Sequence, residues 1–295
     1  MIHEIAPHRF SNHYEPNAVP APSDYVAFIR NRSFFCKASM GSVIFPTYGE
    51  LEDRSGKFIY LFSLDERSVF LAVHDDNSLT AAPAWENWDY YPVFSIRKLK
   101  PAELAFAALV ACQLGEYYRC NRFCGCCGSL MVHSPVERAM TCPECHNTVY
   151  PKLCPVVIVA VRNGDKLLLT KYKGQSASPF YALIAGFAEI GETIEEAAAR
   201  EVREETGVAV KNLHYYKCQP WPISDSLLFG FFCDLDGSDT ITVEPSELSV
   251  AEWVPREAIT NRDDGFSLTS EMIEYFRLNG HGDDAPRHST VTCTP

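Results

Sequence analysis

Residues 186–208 read GFAEIGETIEEAAAREVREETGV, and this stretch decides the fold around it. Thr193 followed by Glu196 is a capping-box signal, and Gly207 is a C-terminal stop, so the spacing predicts a helix between them. On that helix Glu201, Glu204 and Glu205 stand at i, i+3 and i+4, which puts their carboxylates on one face within reach of a common point. Three ionised carboxylates repel one another unless cations neutralise them, and hard oxygen ligands select Mg²⁺ or Mn²⁺. Such ions are commonly shared with phosphate oxygens of a substrate. A solvated acidic helix is the plainer reading of a Glu-rich segment. Against it, Ile194, Ala197, Ala198 and Val202 leave an apolar face to pack, and Arg200 is placed to pair with Glu196 or Glu204.

A chain of 295 residues allows two domains with a small insert, and 46% hydrophobic with 22% charged residues is ordinary globular composition. The net charge of -12 argues against broad, nonspecific nucleic-acid binding, but not against an RNA whose end alone enters a site. No apolar stretch approaches the ~20 residues of a membrane-spanning helix. The N-terminal MIHEIAPHRFSNHYEP lacks the apolar core of a signal peptide. Together with that, the 12 cysteines suggest a reducing cytoplasm and metal ligation rather than disulfides.

Upstream of the acidic helix, residues 1–24 read as a polar, Pro-rich arm. Between Tyr25 and Leu99 strand-like runs (Ser42 to Pro46, Phe58 to Leu64, Val69 to Val73) alternate with turns and predict a β-rich region without a catalytic constellation. Pro101 opens a helix to about Tyr118, with Leu104, Ala108, Ala111 and Leu114 along one side. Then come two C-x2-C knuckles, Cys124/Cys127 and Cys142/Cys145, whose four thiolates suit one tetrahedral, structural Zn²⁺. A redox pair or clustered free thiols are the competing readings, and Cys120 and Cys126 read as buried or spare thiols, with alternative ligation the second reading.

After Tyr150-Pro151 the apolar run Val156 to Val161 predicts a buried strand, Asn163-Gly164 a hairpin turn and Lys166 to Tyr172 its partner. A flexible stretch, 174–179, leads to a strand from Tyr181 to Ala185 and then to the acidic helix. His214 to Cys218, Ser226 to Leu235, Ile241 to Glu244 and Ala251 to Val254 read as further strands. Ser267 caps a last helix stopped by Gly280, and 281–295 reads as a mobile tail. Strands on both sides of a helix, with another helix at the end, predict an α+β domain: a mixed sheet covered on both faces.

The opening stretch resembles the Nudix box, G-x5-E-x7-R-E-U-x-E-E-x-G-U with U aliphatic, through Gly186, Glu192, Arg200, Glu201, Val202, Glu204, Glu205, Gly207 and Val208. Downstream, Cys218-Gln219-Pro220-Trp221-Pro222-Ile223-Ser224-Asp225-Ser226 resembles S-Q-P-W-P-F-P-x-S, the signature of the NADH pyrophosphatases, the group that includes the NudC-type enzymes. Cys218, Ile223 and Ser224 depart from it. The likeness is close over the C-terminal two thirds and weak before about residue 100. It implies a Nudix α-β-α sandwich with a mixed sheet after a zinc ribbon and a β-rich N-terminal domain, divided as 1–118, 119–150, 151–280 and the tail 281–295.

The resemblance further implies metal-dependent hydrolysis of the NAD(H) diphosphate to nicotinamide mononucleotide and AMP, and removal of NAD caps from RNA. It makes Glu201, Glu204, Glu205 and Glu247 carboxylate ligands of Mg²⁺ or Mn²⁺, Ala185 a carbonyl ligand, and Glu205 the best candidate for essential base. It assigns Phe187 to nicotinamide stacking. Tyr150, Glu137, Gln219, Pro220, Trp221, Pro222, Ser226 and Thr269, the last standing where the family has a small alanine, become substrate contacts. A homodimer follows by analogy. Two alternatives stand beside this reading: a Nudix hydrolase of ADP-ribose or dinucleoside polyphosphates, and a zinc-ribbon nucleic-acid-binding regulator with a ligand-sensing Nudix domain.

Overall fold

The apolar run at 156–161 lies inside a long strand, Cys154–Asn163, at the centre of a six-stranded sheet. It is apolar throughout because both its faces are covered. Val157, Val159 and Val161 pack with Ala197, Ala198 and Val202 of the acidic helix, whereas Val156, Ile158 and Ala160 pack with Leu268, Met272, Ile273 and Phe276 of the last helix. In a computed structural model of the chain, residues 1–173, 180–244, 246–260 and 263–280 are described. The stretch 174–179 and the tail 281–295, read above as flexible, lie outside the described residues.

The sheet runs in the order Ala209–Trp221, Ser226–Asp236, Cys154–Asn163, Lys166–Tyr172, Leu248–Pro255, and Ile184–Phe187 also pairs with the central strand. It is mixed: Cys154–Asn163 pairs parallel to Ser226–Asp236 and antiparallel to Lys166–Tyr172 and Ile184–Phe187. Register pairs Asn163 with Lys166, so the two-residue turn is Gly164-Asp165 rather than Asn163-Gly164. Only Gly164 has positive φ (58°), the requirement at the first central position of a type II′ turn. Gly230 lets the last helix approach: a Cβ there would stand 2.8 Å from the Met272 sulfur and 3.2 Å from a Leu268 methyl.

The two helix readings in this unit are met with their caps. The acidic helix runs Ile194–Thr206, with Thr193 Oγ1 accepting from the Glu196 N–H, Glu196 accepting from the Thr193 N–H, and Gly207 left-handed at φ 72°. The last helix runs Leu268–Asn279 from an Ser267 N-cap to Gly280. The segment 241–244 is not a strand. Its Thr242 and Glu244 N–H groups donate to the carbonyls of Thr206 and Glu205 (2.9 Å each), satisfying acceptors that the helix C-terminus leaves open.

The chain divides into two compact units, and the elements above belong to one that spans Met1, Cys154–Trp221 and Ser226 onward. The other comprises Ile2–Leu153 and Pro222–Asp225. It is β-rich: Phe10–Ser11, Lys57–Leu64, Arg67–Val73 and Tyr25–Ala27 form one sheet, and Ile29–Arg30, Ser33–Ser39, Ser42–Ile44 and Asp89–Pro92 another. The helix Ala102–Cys120 buries Ala108 and Ala111 of the stripe expected of it but not its two leucines. Leu104 and Leu114 are half-buried, while Ala105, Ala108, Leu109, Cys112 and Tyr118 are fully packed. Short alanine side chains let the helix sink in on most of its circumference. The ribbon's three short strands, Val132–His133, Met140–Thr141 and Thr148–Val149, pair antiparallel.

Thr193→Ala removes the N-cap acceptor and is expected to lower unfolding free energy by about 1 kcal/mol. Urea denaturation followed through the Nudix-unit transition measures it, and an unchanged midpoint would deny the cap its role.

Candidate active site and metal centre

The acidic helix presents its carboxylates against the strand Ile184–Phe187, and Gly186 makes the approach possible. A Cβ at Gly186 would collide with the Glu201 carboxylate itself, so the strand must offer bare backbone there. Glu205, one turn further, is 1% exposed, and neither of its oxygens has a hydrogen-bond partner. Burial pushes its pKa up to about 8, and the charges of Glu201 and Glu247 add to the shift while the Ala185 backbone opposes it. Burial also raises Glu201, though Arg200 pulls it back.

Arg200 is the counter-ion of the cluster, with a wider reach than the spacing suggested. It donates to Glu192 (2.9 and 2.8 Å), Glu201 (2.7 Å), Glu204 (2.9 Å) and the Phe187 carbonyl (2.9 Å). Glu196 is not among its partners, being used in the cap. The hydrogen bonds from Arg200 hold the Glu192 carboxyl down at about 2. Glu205 is not among the carboxylates that Arg200 holds.

Glu247 is exposed, tied by its carbonyl to the Lys173 N–H (2.8 Å), and its charge is felt by Glu201, Glu205 and Tyr172. Tyr172 escaped the sequence reading. Its hydroxyl donates to the Leu183 carbonyl (3.3 Å), and burial with the charges of Glu205, Glu201 and Glu247 pushes its pKa upward. Only its place at the end of a strand in sequence hinted at this. A carboxyl buried without a donor, amid two further carboxylates, fits a hard cation that the three would share. The carboxylate oxygens do not converge as tightly as the cysteines do: among the described residues, only Cys124, Cys127, Cys142 and Cys145 bring ligand atoms within 4.8 Å of one another.

In that cysteine group Cys124 and Cys145 sulfurs are 3.5 Å apart and those of Cys127 and Cys142 3.4 Å. Tetrahedral Zn²⁺ with bonds of ~2.3 Å needs sulfurs ~3.8 Å apart, so the set fits. Backbone N–H groups of Cys126 and Cys145 point at the Cys124 and Cys142 sulfurs (3.4 Å each). Backbone donors from Cys126 and Cys127 lower Cys124 to about 6. Cys145 rises to about 12: the Asn147 backbone lowers it, and the other three sulfurs outweigh that. Four thiolates need a dication to ionise together. Cys120 and Cys126 are exposed and outside the group.

Of the residues assigned to substrate, Phe187 and Tyr150 are about half exposed (54% and 56%), and the Tyr150 hydroxyl donates to Glu137 (2.9 Å). Trp221 stands edge-on to Phe266 (5.1 Å), Pro220 and Thr269 are half-buried, and Pro222 and Ser226 are buried. Gln219 is fully buried, and its carboxamide is used at both ends: Nε2 donates to the Phe266 carbonyl (2.8 Å) and Oε1 accepts from the Leu268 N–H (2.7 Å).

A mixed sheet between two helices, with a glycine-spaced carboxylate helix on one face, defines the class. Residues 152–276 match the NUDIX domain model, so this part of the chain is a Nudix domain. It is 45% identical over 141 residues to the NAD-capped RNA hydrolase NudC of Shigella dysenteriae serotype 1 (strain Sd197). It is 44% identical over 141 residues to the protein of that name from Escherichia coli (strain K12 / DH10B). Each alignment takes in 48% of this chain and 54% of the relative, so the chain spans about half the length of the curated relatives it matches. A crystal structure of a Nudix hydrolase from Nitrosomonas europaea aligns over 54% of this chain and 92% of its own, at TM-score 0.45 and 23% identity.

Because Glu205 titrates near 8 when folded and near its ordinary 4.5 when unfolded, the native state keeps a proton that the unfolded state has lost between those values. Stability of the protein without Mg²⁺ or Mn²⁺ is therefore expected to fall as pH rises from about 4.5 to about 8. Glu205→Gln should flatten that slope in denaturation curves taken across the window; a wild-type protein equally stable throughout would contradict the burial argument. For the cysteines, atomic emission should find one zinc per chain, retained in Cys126→Ser and lost in Cys142→Ser. Zinc retained in both would break the ligand assignment.

Proposed function

We propose that this chain is a metal-dependent hydrolase that cleaves the diphosphate of NAD(H) to nicotinamide mononucleotide and AMP, and that it removes NAD caps from RNA 5′ ends. The observation that carries the proposal is Glu205, a buried carboxyl with two unpartnered oxygens amid Glu201 and Glu247, in a domain 45% identical to a NAD-capped RNA hydrolase. Glu201, Glu204, Glu205 and Glu247, with the Ala185 carbonyl, would hold Mg²⁺ or Mn²⁺. When bound, the cation supplies neutralisation of the phosphoryl oxygens and acidifies an attacking water.

The chain's own residues do the rest. Arg200 fixes Glu192, Glu201 and Glu204 and braces the end of the Ile184–Phe187 strand through the Phe187 carbonyl. Glu205, ionised, takes the water's proton on a carboxylate oxygen; water adds to phosphorus, and the bridging P–O bond breaks with the electron pair leaving on a nucleoside monophosphate. Phe187 offers an exposed ring for stacking on nicotinamide. Tyr150, Glu137, Pro220, Trp221, Pro222, Ser226 and Thr269 are proposed to shape the rest of the substrate's surroundings. The division at 118/119 and 150/151, a structural Zn²⁺ in the ribbon, a homodimer and a cytoplasmic location complete the reading. The location is supported by eleven cysteines that are free among the described residues.

Assays of NADH, NAD⁺, ADP-ribose and NAD-capped RNA in parallel test it. Nicotinamide mononucleotide is expected from NADH with Mg²⁺ or Mn²⁺, and Glu205→Gln should lower kcat by about 10³-fold or more while leaving the fold intact. Turnover of ADP-ribose alone would move the substrate assignment, and NAD binding without hydrolysis would turn the enzyme into a sensor.

A further inference from the structure

We propose that Gln219 is a positioning residue: its carboxamide clamps the start of the last helix to the Ala209–Trp221 strand and so sets the place of Thr269 and the Trp221–Phe266 wall. The inference rests on the substrate reading above, in which Thr269 and Trp221 shape the substrate's surroundings. Gln219 is 0% exposed and spends both ends of its amide on backbone, Nε2 on the Phe266 carbonyl at 2.8 Å and Oε1 on the Leu268 N–H at 2.7 Å. The two partners bracket Ser267, the N-cap, whose own oxygen accepts from the Ser270 N–H at 3.2 Å.

This geometry has three consequences. The Leu268 N–H is one of the donors that a helix leaves open at its N-terminus, and here a side chain from a distant strand satisfies it. Thr269 follows directly, so its position is set by the clamp. On the strand side, two residues beyond Gln219, Trp221 meets Phe266 edge-on at 5.1 Å, so clamp and ring contact bind the same segment twice. With both amide ends occupied and no exposed surface, Gln219 acts on a substrate through what it holds.

A carboxylic acid has the same donor and acceptor arrangement as the amide only while protonated. Gln219→Glu should therefore restore the clamp as pH falls, and lose it as the buried carboxyl ionises opposite the Phe266 carbonyl. Gln219→Ala has no such dependence. The experiment measures KM and kcat for NADH in wild type, Gln219→Ala and Gln219→Glu between pH 6 and 9, with Leu268 amide hydrogen exchange by NMR alongside. KM relative to wild type at the same pH is expected to rise about tenfold in Gln219→Ala with kcat changed less than about threefold, and to converge on wild type at low pH in Gln219→Glu only. Leu268 exchange should speed up in Gln219→Ala. An unchanged KM in Gln219→Ala, a kcat loss without a KM change, or a pH-independent Gln219→Glu ratio each overturns the positioning role. A wild type that leaves NADH intact instead overturns the proposed function, and the Leu268 exchange still reports on the clamp.

Discussion

A carboxyl placed out of water without a hydrogen-bond donor is a large local cost, and the Nudix unit is arranged so that Glu205 can bear it. The residue cannot retreat. Its helix is fixed at one end by the Thr193 capping box and packed along its length by Ala197, Ala198 and Val202 on the central strand. At the other end, amides from the 241–244 segment close the last carbonyls. With the backbone held on all sides, the remaining ways to relieve the site are to protonate Glu205 or to bring in a cation. The first explains the raised pKa; the second makes the cost of burial a source of cation affinity.

Arg200 shows why the neighbouring carboxylates behave differently. A single guanidinium holds Glu192, Glu201 and Glu204 and reaches the Phe187 carbonyl as well. Its planar fork fixes those groups in direction as well as in charge. One positive charge set among three negative ones leaves the cluster net anionic, and Glu205 is not among its partners. The arrangement therefore keeps the carboxylates ordered yet still short of positive charge. Gly186 completes it by letting Glu201 lie against bare backbone, a contact that any side chain would block.

What was legible in the sequence is what local chemistry decides. The capping box, Gly207, the Ser267 cap and Gly280 marked both Nudix-unit helices because caps are read within a few residues of chain. The doubly covered central strand was legible from its unbroken apolar run. The four cysteines converge because two C-x2-C knuckles carry their spacing in the chain itself. The misreadings share an opposite cause. The 241–244 segment has strand-like residues but pairs with a helix end, which only tertiary proximity reveals. In Ala102–Cys120 the stripe held for Ala108 and Ala111 and failed for Leu104 and Leu114, because the short alanines decide which side sinks. Gln219 and Tyr172 depend on partners far along the chain or across the sheet, and no spacing rule encodes those.

The departures from the NADH pyrophosphatase signature illustrate the same division. Where that signature has proline, this chain has Ser224, and a proline would have set its φ by its own ring. Here Asp225 adopts φ 57°, an uncommon conformation for a residue with a Cβ. The turn is held instead by Arg32, which donates to the Ile223 carbonyl at 2.7 Å and to Asp225 Oδ2 at 2.6 Å. Arg32 itself sits at φ 54°, in the two-residue turn between Ile29–Arg30 and Ser33–Ser39. Rigidity that a proline supplies through covalent geometry is supplied here by a bidentate contact from a residue some 190 positions earlier. A turn fixed in that way stays fixed only while both partners are in place, and both, Arg32 and the Pro222–Asp225 segment, belong to the β-rich unit.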